Sequence, residues 1–372
     1  MLRGLTTASE RAEIDFLQRV VDQMASSAPA AAITQQRDTA SSLTEDDLRR
    51  LYQLMALAKA CDEKAWTLHR QGRISFVAPC RGHEAAQVGS AYALRPGHDV
   101  VFTYYRDIAV GLTLGMDLPN MFLSLFGKEA LINGGSRHMP WHLCHTELKL
   151  MPATSVVATQ IPQAAGAALA AKYRHEDAVT IVYFGDGATS EGDFHEALNW
   201  AAIHRLPLVF LCENNGYAIS TPVSRQMSVT SVADRAAGYG VPGHIVDGSD
   251  PLAVYQATAE AVARARQGGG PTLLDAHMRR LRAHTSDDDN RRYMSPEQIE
   301  ELRKHDPVDE YRQKLLRKGV LSPEAAQHLD DTIRRDIDQA VEMAEAAPEP
   351  DVHSLATEVF GVAAGQLPPA SF

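Results

Sequence analysis

A doubly wound, mostly parallel α/β sheet with an N-terminal arm and C-terminal helices is the fold this sequence predicts, and three observations predict it. First, the β-branched and aromatic run Val179–Phe184, the helix-like stretch Asp193–His204 and the apolar run Leu206–Leu211 follow one another directly, as in a right-handed βαβ unit. Second, Gly243–Val246 and Thr272–Ala276 are two more short strand-like runs, separated by a helical stretch from Pro251 to Gln267. Third, polar glycine-rich peptides follow two of the strands, where ligands of open α/β sheets bind.

The elements follow in order. Residues 25–42 are small and polar, so residues 1–43 read as a mobile arm. Thr44 and the acidic Glu45, Asp46 and Asp47 supply an N-cap and a negative first turn for a helix from about 44 to 70. The α/β domain spans 44–294. From Ser295 to 372 the texture is charge-rich and helical, with Ser295-Pro-Glu and Ser322-Pro-Glu reading as caps of surface or partner-facing helices. Ala347-Pro-Glu-Pro-Asp351 breaks the last helix and leaves a short tail.

Composition narrows the function. The 372 residues are 45% hydrophobic with a net charge of -11, which suits a globular protein and argues against a nucleic-acid partner. An anionic ligand must then be met by a local cluster of donors or by a metal. Cys61, Cys80, Cys144 and Cys212 are too sparse for a disulfide framework and point to a reducing compartment. No apolar run reaches the ~18 residues of a membrane span. Acidic residues at Glu10, Glu13 and Asp15 speak against a signal peptide, while a short organelle presequence stays open. The expected location is the cytoplasm of a bacterium, or the mitochondrial matrix in a eukaryote.

The chemistry concentrates in Gly185-Asp-Gly-Ala-Thr-Ser-Glu-Gly-Asp193 and Glu213-Asn-Asn-Gly-Tyr217, each placed just after a strand. A carboxylate, an amide and a main-chain carbonyl are hard oxygen ligands that suit Mg2+ or Ca2+ and not zinc. Protein groups would fill part of the octahedron, leaving room for phosphate oxygens. Gly185 and Gly187 would let backbone approach a diphosphate. Either peptide alone could equally be an ordinary turn; the pair after adjacent strands favours a ligand site.

At these residues the chain resembles the thiamine diphosphate enzymes, whose fingerprint is GDG followed some thirty residues on by NN. More narrowly it is similar to alpha subunits of the decarboxylase component of 2-oxo acid dehydrogenase complexes. The similarity runs from about Leu48 to Tyr293 through GRISF (72–76), GHEAAQVGSA (82–91), YYRD (104–107), ATQIPQAAGAA (158–168), ENNGYAISTP (213–222) and RLRAHTSDDDNRRY (280–293). GRISF, ATQIPQA and NNGYAISTP lie nearer the branched-chain branch than the pyruvate branch.

The resemblance implies a fold of the thiamine diphosphate-binding type, the cofactors thiamine diphosphate and Mg2+, and roles for individual residues. Asp186, Asn215 and the Tyr217 carbonyl would hold the metal. Tyr105 and Arg106, with Arg280, would hold the diphosphate beside Gly185, Gly187 and Ala188. His284 would be the catalytic histidine beside the thiazolium and the substrate. Ser155 and Val157 would line the aminopyrimidine, and Phe76 the substrate pocket. Residue chemistry alone leaves alternatives: a salt bridge for Arg106, a surface loop for His284, loop packing for Ser155 and Val157, and core for Phe76. His142, with His138, Cys144 and His145, lacks zinc-site spacing and reads as a loop residue.

Two positions depart from the branched-chain pattern. Glu213 stands where an Arg is common, and Thr285, with Ser286, stands where mitochondrial relatives carry a phosphorylated serine. Phosphate there would be inhibitory.

The implied reaction is oxidative decarboxylation of a small-molecule 2-oxo acid with transfer of the acyl group to a lipoyl acyltransferase core. This class needs a glutamate from a second α/β domain, which the residues after 293 do not offer. A beta subunit is therefore expected, in a heterotetramer of two alpha and two beta chains. The small-residue helix Ile161–Arg174 is either a contact for that partner or packed within the subunit. Rival readings are a pyruvate or acetoin dehydrogenase alpha subunit, a Mg2+-dependent phosphohydrolase and a non-catalytic scaffold.

Overall fold

The computed structural model describes residues 43–129, 134–135 and 137–356, so the expected arm and the end of the tail lie outside the described residues. Helix α1 (Glu45–Arg70) opens with a capping box between Thr44 and Asp47 and turns Leu51, Met55, Ala58, Cys61, Ala65 and Leu68 inward. Such a cap contributes about 1 kcal/mol.

The core is a sheet of six parallel strands, β1 (Val100–Tyr104), β2 (Leu150–Thr154), β3 (Thr180–Gly185), β4 (Leu208–Asn214), β7 (Gly243–Asp247) and β8 (Thr272–His277), in the order β2-β1-β3-β4-β8-β7. A small hairpin, β5 (Tyr217–Ala218) and β6 (Thr221–Pro222), stands apart from it. Helices α2 (Glu84–Ala91), α3 (Ile108–Leu114), α4 (Leu118–Phe126), α5 (Gln160–Tyr173), α6 (Gly192–Ile203) and α7 (Pro251–Arg266) connect the strands. Two apolar clusters result: one gathers α1 to α4 and α7, the other α5 and α6. Strands covered on both faces read as continuous apolar runs, as β3 and β4 do.

Strand β4 runs three residues past the expected Leu211 because the ladder continues through Cys212, Glu213 and Asn214 onto β8. Polar residues hid that extension. Helix α2 left no amphipathic signal because all eight of its residues are buried.

Of the C-terminal helices, α8 (Pro296–Arg303) and α10 (Pro323–Ala346) start at the expected caps Ser295 and Ser322, while α9 (Pro307–Arg317) starts at a further cap, Asp306; the last stops before Ala347. The apolar stripes of α9 and α10 pack within the chain. Tyr311, Leu315, Ile333, Ile337 and Val341 are buried in the same cluster as α1, and Lys59 of α1 bonds Asp306 at 2.9 Å.

Candidate active site

Strand order reverses between β1 and β3, and ligands of such sheets bind at the carboxyl ends beside that point. The expected site residues other than Phe76 converge there. Tyr105 and Arg106 follow β1, Ser155 and Val157 follow β2, and Gly185 ends β3, with Asp186, Gly187 and Ala188 in the 3-10 turn beyond it. Asn215 and Tyr217 follow β4; Arg280 and His284 follow β8.

Asp186 is 1% exposed; its Oδ2 accepts from Gln226 at 2.8 Å, while Oδ1 is buried without a hydrogen-bond partner. Burial pushes this carboxyl above the ordinary range, opposed by Gln226 and by the nearby main-chain N–H groups of Asp186 and Asn215. Asn215 Oδ1 accepts the Tyr217 N–H at 3.2 Å, which draws the Tyr217 carbonyl into a tight turn. Its Nδ2 meets His83 Nε2 at 3.1 Å, so that ring nitrogen accepts. The Tyr217 carbonyl faces Arg280, whose second terminal nitrogen donates to Ile219 O at 2.7 Å and Tyr293 Oη at 2.9 Å.

Arg106 is buried and forms no ion pair among the described residues, contrary to the salt-bridge alternative. It donates to Pro79 O at 2.5 Å and to His284 Nδ1 and O at 3.1 and 3.2 Å. Tyr105 lies under it, with the guanidinium 5.4 Å from the ring centroid. The Nε atoms of both Arg106 and Arg280 are buried without partners. A bare carboxylate oxygen matched with two incompletely satisfied guanidinium groups fits a divalent cation carrying an anion.

His284 is not a free surface residue: its N–H donates to Asp288 Oδ2 at 2.8 Å and its ring stands edge-on to Tyr105. Because Nδ1 accepts from Arg106, the neutral ring carries its proton on Nε2. Burial first, then the charges of Arg106 and Arg280, push its pKa down to about 3. An unfolded chain takes up that proton near the usual histidine value of about 6.5, so stability falls as pH drops below that value toward the folded one. The thermal midpoint of the cofactor-free protein should therefore fall less steeply between about pH 7 and pH 5 in His284→Asn than in the wild type. Equal slopes, or a His284 NMR titration centred near the usual value, would contradict this.

The remaining expectations divide. Gly185 has open space where a side chain would start, as a backbone approached by a ligand needs; at Gly187 an added Cβ would lie 2.7 Å from Ala218 Cβ. Gly187 thus also serves packing against β5. Ser155 and Val157 are exposed. Phe76 is half-buried and belongs to neither apolar cluster; next to it, Val77 O accepts from Ser286 N at 2.8 Å, close to His284.

Several residues around the site were given no role in it by the sequence. His142 bonds Ser155 Oγ through Nε2 and Pro140 O through Nδ1, and faces the Tyr105 ring. His83 is fully buried, and burial, then Arg106 and Arg280, hold it well below the ordinary histidine value. Glu213 is fully buried, accepting from Tyr104 Oη at 2.9 Å and Gln87 Nε2 at 3.2 Å. Its departure from the branched-chain pattern is therefore a buried one. GHEAAQ, which contains His83 and Gln87, and ENNGY, which contains Glu213, are the signals that could have flagged them, while His142 reads from sequence as a loop residue.

A parallel α/β sheet with a carboxylate, an amide and two arginines gathered at its carboxyl edge is the architecture of an anion-binding enzyme. The chain belongs to the dehydrogenase E1 component family, whose sequence profile matches residues 52–353. It is 45% identical over 312 residues to the 2-oxoisovalerate dehydrogenase subunit alpha of Bacillus subtilis, covering 84% of this chain and 94% of that one. It is 40% identical over 334 residues to the 3-methyl-2-oxobutanoate dehydrogenase subunit alpha of Mycobacterium tuberculosis, covering 89% and 88%. The pyruvate dehydrogenase E1 component subunit alpha of Bacillus subtilis is 37% identical over 314 residues, covering 84% and 82%. The chain is thus more similar to these branched-chain subunits than to that pyruvate subunit.

Proposed function

We propose that the chain is the alpha subunit of a branched-chain 2-oxo acid dehydrogenase that requires a beta subunit, thiamine diphosphate and Mg2+. The carrying observation is the 45% identity to the Bacillus subtilis 2-oxoisovalerate subunit against 37% to the pyruvate subunit of the same organism. When bound, thiamine diphosphate supplies the electron sink for loss of carbon dioxide from the 2-oxo acid.

The residues of this chain then bind, orient and protonate. Asp186, Asn215 and the Tyr217 carbonyl would hold Mg2+, and Tyr105, Arg106 and Arg280 the diphosphate, with Gly185, Gly187 and Ala188 alongside. Ser155 and Val157 would meet the aminopyrimidine and Phe76 the substrate side chain. A neutral His284 keeps a proton on Nε2, suited to donating a hydrogen bond to an oxygen at the reacting carbon.

Excluding water falls to a partner. Val156, Val157 and Ile219 are 67%, 47% and 54% exposed around the strand ends. Along α5, Pro162, Gly166, Ala170 and Tyr173 form an exposed stripe, and Trp200 and Ile203 of α6 are exposed as well. These support a partner chain, and the proposed assembly is two alpha and two beta chains docked on a lipoyl acyltransferase core. Among the described residues no helix is long and apolar enough to cross a membrane. A bacterial cytoplasm, or a mitochondrial matrix in a eukaryote, is the proposed compartment.

The test is NAD reduction by the complex reconstituted with beta chain, acyltransferase and dihydrolipoyl dehydrogenase. The highest kcat/KM is expected for 3-methyl-2-oxobutanoate over pyruvate and acetoin, and no turnover by the chain alone. A preference for pyruvate or acetoin would overturn the branched-chain assignment. Phosphate-ester hydrolysis by the chain alone would instead support the phosphohydrolase.

A further inference from the structure

The turns that carry Arg106 and Asn215 arise from β1 and β4, which are not neighbours, since β3 lies between them. The ladder does not tie both turns equally. Strands β3 and β4 stay paired to Gly185 and Glu213, but β1 pairs with β3 only as far as Phe102 and Val182. Tyr104 and the turn after it therefore leave β3 before the site begins.

Tyr104 Oη on β1 reaches Glu213 on β4 at 2.9 Å, and a second side chain ties in the turn itself. Gln87, fully buried on α2, directs Nε2 at Arg106 O (3.3 Å), Asp107 Oδ1 (3.2 Å) and Glu213 Oε2 (3.2 Å), while its Oε1 accepts from Ala109 N at 3.2 Å. Asp107 Oδ2 in turn accepts the Tyr104 N–H at 2.8 Å. One amide thus joins the Arg106 turn to the strand end two residues before Asn215. Every residue of α2 is buried, so the amide lies out of contact with bulk solvent.

We propose that Gln87 is a positioning residue that sets the separation between the Arg106 turn and the Asn215 turn, and so between the diphosphate and its metal. This rests on the reading of those turns as cofactor-binding. Groups that orient ligand-binding residues from behind typically change affinity by about 10- to 100-fold when removed.

The experiment uses the alpha–beta complex and calorimetric titration with thiamine diphosphate in the presence of MgCl2. Gln87→Met, which keeps length and loses the amide, should bind about 10- to 100-fold more weakly. The KM for the 2-oxo acid at saturating cofactor should stay within about twofold, because no substrate contact is lost. In an Arg106→Ala background, the further loss on adding Gln87→Met should shrink to less than about threefold, since the group being positioned is gone. A merely structural role would add its full loss in that background.

Gln87→Asn keeps the amide but draws it back by one methylene, and carries the same comparison if Gln87→Met does not fold. Unchanged affinity in a folded variant, or the same further loss with and without Arg106, overturns the proposal. Failure of the wild-type complex to bind thiamine diphosphate overturns the cofactor reading itself, independently of Gln87.

Discussion

Asp186→Asn is expected to abolish Mg2+-dependent thiamine diphosphate binding and to lower turnover of the reconstituted complex by about a thousandfold or more. Asp186 is the only carboxylate in the proposed ligand set, and an amide in its place removes the one full negative charge that faces the cation. The stability of the cofactor-free protein should move the other way. Burial raises this carboxyl above its unfolded value, so ionisation opposes folding once pH exceeds the unfolded value, and the unpartnered Oδ1 adds to that cost. Without metal, Asp186→Asn should therefore melt at or above the wild-type temperature at pH 7, and added Mg2+ with thiamine diphosphate should raise the melting point of the wild type alone. Normal Mg2+-dependent cofactor binding by the variant would remove Asp186 from the metal site.

Gly82→Ala should be the most damaging single-methyl change, costing about 3 kcal/mol or more and leaving little soluble protein. Gly82 has a φ of +96°, and an added Cβ would lie 1.8 Å from the Arg279 carbonyl oxygen and 3.0 Å from Leu281 Cγ. Since Leu281 N donates to Arg81 O at 3.0 Å, the methyl group would force apart the two segments that hold Arg280 and His284 in place. Gly72→Ala is the control. Its φ is +71° but nothing lies within 4 Å of the new methyl, so only the backbone strain of about 1–2 kcal/mol applies. Urea unfolding compares the two, and equal destabilisation would show that the clash relaxes at little cost. Any folded Gly82→Ala should also bind thiamine diphosphate weakly, because its damage falls on the diphosphate side of the site.

The βαβ unit from Val179 to Leu211 was legible because two strands buried on both faces must be apolar throughout. The capped helices were legible because Thr44, Ser295 and Ser322 each satisfy main-chain N–H groups that a helix leaves open. Asp186 and Asn215 could be paired because strand length and one helical crossover set the distance between two parallel strand ends. Where burial was complete or polar, periodicity was silent: α2 has no exposed face to create a period, and β4 runs on through Glu213 and Asn214 after its apolar run has stopped.

Local chemistry and chain periodicity thus settle the fold class and place the two oxygen-rich peptides that carry Asp186 and Asn215 at neighbouring strand ends, since both depend on neighbours within one or two elements. Long-range packing settles the rest. Arg106 could have been a surface ion pair and His284 a loop residue until residues 178 positions apart were hydrogen-bonded to each other. The burial of His284 between two arginines, which keeps it neutral, and the bridge from Gln87 across β3 both depend on α2 and the β8 turn folding over the same strand ends. No spacing rule encodes that approach, because it comes from the packing of segments that are remote in the chain.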